Sequence, residues 1–70
     1  MSRNKEQVQK RIAINVVHAR MQHSISRAGL AHKIGINNEL LNKYEKGELP
    51  IPPEDLEAIS RELGVDIDWF

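Results

Sequence analysis

The amino-acid sequence predicts an all-α protein, a compact bundle of five short helices. In residues 6–22 apolar side chains recur at helical spacing, at Val8, Ile12, Val16 and Ala19. Glycines and prolines fall mostly at the ends of the predicted helices, where they act as stop and start signals. The 70 residues include no cysteine, so packing alone must hold a single small core.

Boundary residues place the first two helices. The first helix is predicted over Glu6–Gln22, after a polar, flexible N-terminus at residues 1–5. Either Ser24 or Ser26 caps the second helix, because a serine hydroxyl accepts from the free N–H groups of a first turn. The second helix runs until Gly35, a residue that readily takes the left-handed conformation that ends helices.

The remaining helices are placed by the same signals. Asn37 is a favourable cap for a third helix, Asn38–Lys46. A fourth helix has Pro53 in its first turn and ends at Gly64, and Asp66 caps a fifth short helix. Beyond the first helix, the residues expected to be buried are Leu30, Ala31, Leu41, Tyr44, Leu56, Ile59 and Leu63. Leu40 is expected to be partly buried. Trp69 and Phe70 are expected either to close the core or to lie at a dimer interface.

The stretch Arg27–Gly47 has the spacing of two short helices packed across a tight turn. Ala31 is small where the two backbones come closest, and Gly35 lies where the first of them must end. Apolar residues occupy the other packing positions, namely Leu30, Ile34, Ile36, Leu41 and Tyr44. This spacing is typical of a helix-turn-helix, whose second helix enters the major groove of DNA.

The charge distribution is compatible with DNA binding although the net charge is zero. Residues 1–33 carry a net +6 and residues 34–70 a net −6, and such asymmetry orients a polyanion near the surface. The alternative is that each half simply solvates its own surface. The chain has neither an apolar run of about 20 residues nor a secretory signal, so we expect a cytoplasmic, nucleoid-associated protein.

Three stretches resemble the phage repressor and Cro-type helix-turn-helix proteins, the Xre family. They are ISRAGLAHKIGI, LNKYEKGE and LEAISRELGVDIDWF, and the resemblance covers about Ile12 to Phe70. It implies a lambda repressor-like DNA-binding domain over residues 6–70 that binds an operator as a dimer. It also implies an ion pair between Arg20 and Glu45 that ties the first helix to the third. The chain departs from the family at Arg27, where glutamine is usual, and at Gly29 and Glu39.

Seven polar residues on and around the third helix are the candidate DNA contacts. Base-reading candidates lie on its outward N-terminal side, because asparagine pairs with adenine, glutamate accepts from cytosine and lysine donates to guanine. They are Asn38, Glu39 and Lys43. Phosphate contacts are expected from the flanking positions Arg27, Asn37, Asn42 and Lys46. The alternative for each residue is an ordinary solvated position on an exposed helix.

We therefore expect a transcriptional regulator, most simply a repressor that binds a palindromic double-stranded DNA operator as a homodimer. The competing hypothesis is a protein-interaction or antitoxin-like module with secondary DNA binding, suggested by the zero net charge and by apolar Ile14, Val17, Trp69 and Phe70. No enzyme activity, cofactor or metal is expected. The three histidines, His18, His23 and His32, lack a spacing that gathers ligands on one helix face.

Overall fold

The computed structural model describes the backbone of residues 2–70 and the side chains of residues 7–70. Within this range it contains α-helices and one 3₁₀ turn, without strands. In chain order these are α1 (Ser2–Gln22), α2 (Arg27–Ile34), α3 (Asn38–Glu45), α4 (Pro53–Leu63) and a C-terminal turn, Ile67–Trp69. The all-α prediction is confirmed, although the last of the five expected helices is a 3₁₀ turn.

Helix α1 is longer than the sequence signals indicated, because it begins at Ser2 and not at Glu6. No glycine or proline interrupts residues 2–6, and the arginine, lysine and glutamate among them are good helix formers. The end of α1 at Gln22 agrees with the prediction. The flexibility expected for residues 1–5 lies outside the residues whose side chains are described, and it stays a prediction.

The core lies where α1, α2, α3 and α4 meet. Its buried members are Val16, Ala19, Leu30, Ala31, Leu41, Tyr44, Ile59 and Leu63, and for these eight residues the predicted burial is confirmed. Leu56 was also predicted to be buried, but it packs against the core while only partly buried, as does Ile12. Burying one leucine or isoleucine side chain contributes roughly 1.5–3 kcal/mol relative to leaving it exposed. These four helices are therefore held together mainly by this one cluster.

The predicted apolar stripe of α1 reaches the core only in its C-terminal part. Val16 and Ala19 are fully buried, whereas Val8 is 50% exposed, so its expected place in the core was wrong. The N-terminal part of α1 extends beyond the other helices that pack against it. Periodicity in the sequence cannot show where that packing ends. Ile14, which the stripe leaves out, is 65% exposed.

Local capping signals set the boundaries around the tight turn. Of the two candidate serines, Ser26 caps α2, since its Oγ accepts from the N–H of Gly29 at 3.0 Å. Asn37 caps α3 through the N–H of Leu40, at 2.7 Å. Gly35 ends α2 with φ of 78°, in the left-handed region where a side chain would be strained. Only three residues therefore separate α2 from α3.

The chain ends in a turn that packs on α4. The carboxylate of Asp66 accepts from the N–H of Asp68 at 3.0 Å, so the predicted cap is confirmed. Hydrogen bonds spanning three residues close the turn, from Trp69 N–H to Asp66 and from Phe70 N–H to Ile67, which is the 3₁₀ pattern. Phe70 packs against the core, whereas Trp69 is 46% exposed and meets the Phe70 ring edge-on.

Candidate nucleic-acid interface

Helix α3 has one buried face and one exposed face. Leu41 and Tyr44 point into the core, at 0% and 4% exposure. On the other side Glu39 and Lys43 are exposed, as are Asn38 and the C-terminal capping residue Lys46, while Asn42 is half-buried. An α-helix with polar side chains along one exposed face has the shape and chemistry that the major groove admits.

Arg27, the first residue of α2, is hydrogen-bonded to the exposed face of α3. Its Nε donates to Asn38 Oδ1 at 3.2 Å, and its Nη1 donates to Asn42 Oδ1 at 2.8 Å. Both amide oxygens therefore accept from Arg27, and both NH₂ groups remain as donors. From sequence alone these three residues were predicted as separate DNA contacts, and the network that joins them was not predicted.

This network restricts the two asparagines. An asparagine pairs bidentately with adenine by using its oxygen and its NH₂ group together. The side-chain oxygen of Asn38 already accepts from Arg27. Asn38 can therefore contact a base without rearrangement only by donating from its NH₂ group. The half-buried guanidinium of Arg27 keeps further N–H donors that a phosphate oxygen can accept.

A second arginine joins α1 to the end of α3. Arg20 Nε lies 2.8 Å from Glu45 Oε2, and Arg20 Nη2 lies 3.1 Å from Glu45 Oε1, which is a bidentate ion pair. Arg20 Nη1 also donates to the carbonyl oxygen of Ile25 at 3.0 Å. The side chains of Arg20 and Glu45 are only 15% and 5% exposed. One guanidinium thus connects α1, the α1–α2 linker and α3.

The other candidate phosphate contacts lie at the two ends of α3. Asn37 uses its side-chain oxygen to cap the helix, which leaves its NH₂ group as a donor at the N-terminal end. Lys46 is the exposed C-terminal capping residue. Lys33, by contrast, extends toward α4, where its Nζ lies 3.6 Å from Glu62 Oε2.

A small groove runs along one side of α3. It has a volume of about 220 Å³ and is lined by Asn37, Glu39, Leu40, Lys43 and Leu49. Leu49 belongs to the loop after α3 and is 39% exposed. Leu49 was not among the candidates predicted from sequence, although a leucine in the proline-rich loop that directly follows the third helix was a signal that could have indicated it.

The rest of the described surface offers little that competes with this face as a site. His18, His23 and His32 are all exposed. Within residues 7–70, no three side chains among histidine, aspartate and glutamate are grouped so that they could hold a metal ion. None of the helices in the described part of the chain is long and apolar enough to span a bilayer.

A short helix pair across a tight turn, with a braced and exposed second helix, defines a helix-turn-helix protein. A family model described as helix-turn-helix matches residues 18–70, which is most of the chain. The protein therefore belongs to this family, of the Xre and lambda repressor-like type, and is a DNA-binding transcriptional regulator. Among curated proteins, none matches the chain.

Proposed function

We propose that the protein represses transcription by binding a palindromic operator as a homodimer, with α3 in the major groove. The observation that carries this proposal is the exposed polar face of α3, which is fixed to the core by Leu41 and Tyr44 and held laterally by Arg20 and Arg27. A recognition helix must be rigid because each base contact depends on donor and acceptor positions within a few tenths of an ångström.

Within this proposal the residues divide by role. Glu39 and Lys43 contact base edges, and Asn38 donates a hydrogen bond from its free NH₂ group to an acceptor atom of a base. Arg27, Asn37, Asn42 and Lys46 contact phosphates and set the register of α3 in the groove. Repression follows because an occupied operator excludes the polymerase. The protein would act in the cytoplasm, at the nucleoid.

The test is a salt titration of duplex binding by the wild-type chain and three variants. We expect affinity to fall steeply with salt because bound phosphates release counterions. Lys46→Ala, which removes an exposed phosphate-contact candidate, should weaken binding evenly across sequences and reduce the salt slope by about one. Lys43→Ala should cost about 1–3 kcal/mol and relax specificity at one operator position. Arg61→Ala is the matched control, since it removes a cation that is 74% exposed on α4 and pairs with Glu57.

A second candidate function is a protein-interaction or antitoxin-like module on the same fold. It is favoured by two exposed apolar side chains, Ile14 at 65% and Trp69 at 46%, because exposed apolar groups can mark contact surfaces. The titration separates the two functions. If no duplex binds even at low salt, the repressor proposal fails and the interaction module becomes the better account.

A further inference from the structure

The groove beside α3 has an apolar wall next to charged groups. Leu40 and Leu49 supply the apolar surface, while Glu39 and Lys43 supply a carboxylate and an ammonium group. Leu40 is partly buried and packs against the core, so that wall is fixed. The volume of about 220 Å³ is below that of typical small-molecule sites. It is instead sufficient for the edge of a single base.

The groove lies on the face of α3 that the proposed function directs toward DNA. With 3.6 residues per turn, Glu39, Lys43 and Leu40 follow one another around α3, leading away from the side that Arg27 contacts. The exposed face therefore has a polar flank, formed by Asn38 and Asn42, and an apolar flank, formed by Leu40 and Leu49. These two flanks would contact chemically different base edges.

Thymine is the base whose major-groove edge matches the apolar flank. It presents the O4 acceptor directly beside the 5-methyl group, and among the standard bases only thymine carries an apolar substituent there. Lys43 supplies a donor, and Leu40 and Leu49 supply apolar surface beside it. Lys43 and the two leucines thus complement thymine in both hydrogen bonding and hydrophobicity, whereas Glu39 supplies an acceptor that O4 does not use.

We propose that the groove receives the 5-methyl group of an operator thymine whose O4 accepts from Lys43. Leu49 is then a specificity-determining residue. The inference rests on the proposed entry of α3 into the major groove. Burial of one methyl group is worth about a fourfold change in Kd, so the effect at this position is modest but measurable.

The experiment replaces the thymines of a selected operator, one at a time, by deoxyuridine, which lacks only the methyl group. For the wild-type chain we expect binding to weaken about fourfold at one thymine in each half-site. For Leu49→Ala the thymine and uracil duplexes should bind equally at that position, whereas Leu49→Met, which keeps the apolar volume, should retain the preference. Ile67→Ala is the control, because Ile67 is 38% exposed against 39% for Leu49 and lies in the C-terminal turn.

The outcomes distinguish this inference from the function on which it rests. Operator binding without any sensitivity to uracil overturns the thymine assignment and leaves the DNA-binding proposal intact. The same holds if uracil weakens binding of Leu49→Ala as much as binding of the wild type, since the methyl group then lies elsewhere. Failure to bind any duplex overturns both.

Discussion

Tyr44 connects α3 to the first turn of α4 by a single hydrogen bond. Its side chain is 4% exposed, and its hydroxyl donates to Asp55 Oδ2 at 2.7 Å. Burial raises the pKa of Tyr44 to about 12, and the hydrogen bond and negative charge of Asp55 add to that effect. The neutral phenol is the form that this site stabilises.

Tyr44→Phe should lower the free energy of unfolding by about 1–2 kcal/mol at neutral pH, because Asp55 loses its donor. The difference between wild type and variant should then shrink as pH rises from about 10 to 12. In that window the unfolded tyrosine has lost its proton while the folded one retains it, so stability that is present below pH 10 is lost. Urea unfolding of both proteins at several pH values measures this difference, and a difference that stays constant up to pH 12 would contradict the account.

At the scale of elements, the pair of Arg20 and Glu45 determines how α1 sits against α3. The pair is bidentate and mostly buried, so removing one partner leaves the other charge with little access to water. Such pairs add little net stability when present, but breaking one is costly. Their main effect here is to fix the C-terminal end of α3 relative to the rest of the bundle.

Arg20→Ala and Glu45→Ala should each destabilise the fold by about 3–5 kcal/mol. The double variant Arg20→Met with Glu45→Leu, which replaces both charges by apolar side chains, should lose less stability than the two single variants added together. Arg61→Ala is the control, since it breaks an exposed pair with Glu57 and should change stability by less than about 1 kcal/mol. Thermal or urea unfolding followed by circular dichroism measures all four variants. Single variants as stable as Arg61→Ala would show that the buried pair does not brace α3.

The sequence predicted the helix ends well because capping is local. Ser26, Asn37 and Asp66 each accept from an N–H group two or three residues ahead, so residue type and spacing nearly determine the outcome. Gly35 and Gly64 end helices for an equally local reason, with φ of 78° and 67°. The buried faces of α2, α3 and α4 followed from helical periodicity.

What the sequence could not predict depends on where elements lie relative to one another. Helical periodicity predicted that Val8 is buried. Whether another helix packs against that turn of α1 depends on the arrangement of the whole bundle. The contacts of Arg27 with Asn38 and Asn42 require the actual crossing of α2 and α3. Leu49 joins the groove only because the loop after α3 folds back beside Lys43.

At the scale of the whole molecule, most acidic residues lie outside α3 along the chain. Six of the ten acidic residues fall within residues 54–68, in α4 and the C-terminal part. Lys33 lies close enough to Glu62 to offset part of that charge. A protein with zero net charge can therefore present a face on which Glu39 is accompanied by Lys43 and Lys46, as electrostatic attraction to DNA requires.

The size of α3 argues for two copies on one operator. Its eight residues span about 12 Å, which covers roughly four base pairs. So short a sequence recurs too often in a genome to specify an operator. Two copies related by a two-fold axis would double the length that is read, and their recognition helices would enter the groove about 34 Å apart.

Selection of bound duplexes from a random pool tests the central claim, that α3 reads DNA, most directly. The account predicts enriched duplexes with two inverted half-sites whose centres lie about ten base pairs apart. It also predicts that Lys43→Ala loses the preference at one position in each half-site while Arg61→Ala selects the wild-type operator. A pool that shows no enrichment at low salt, or the same operator for Lys43→Ala as for the wild type, would contradict this account.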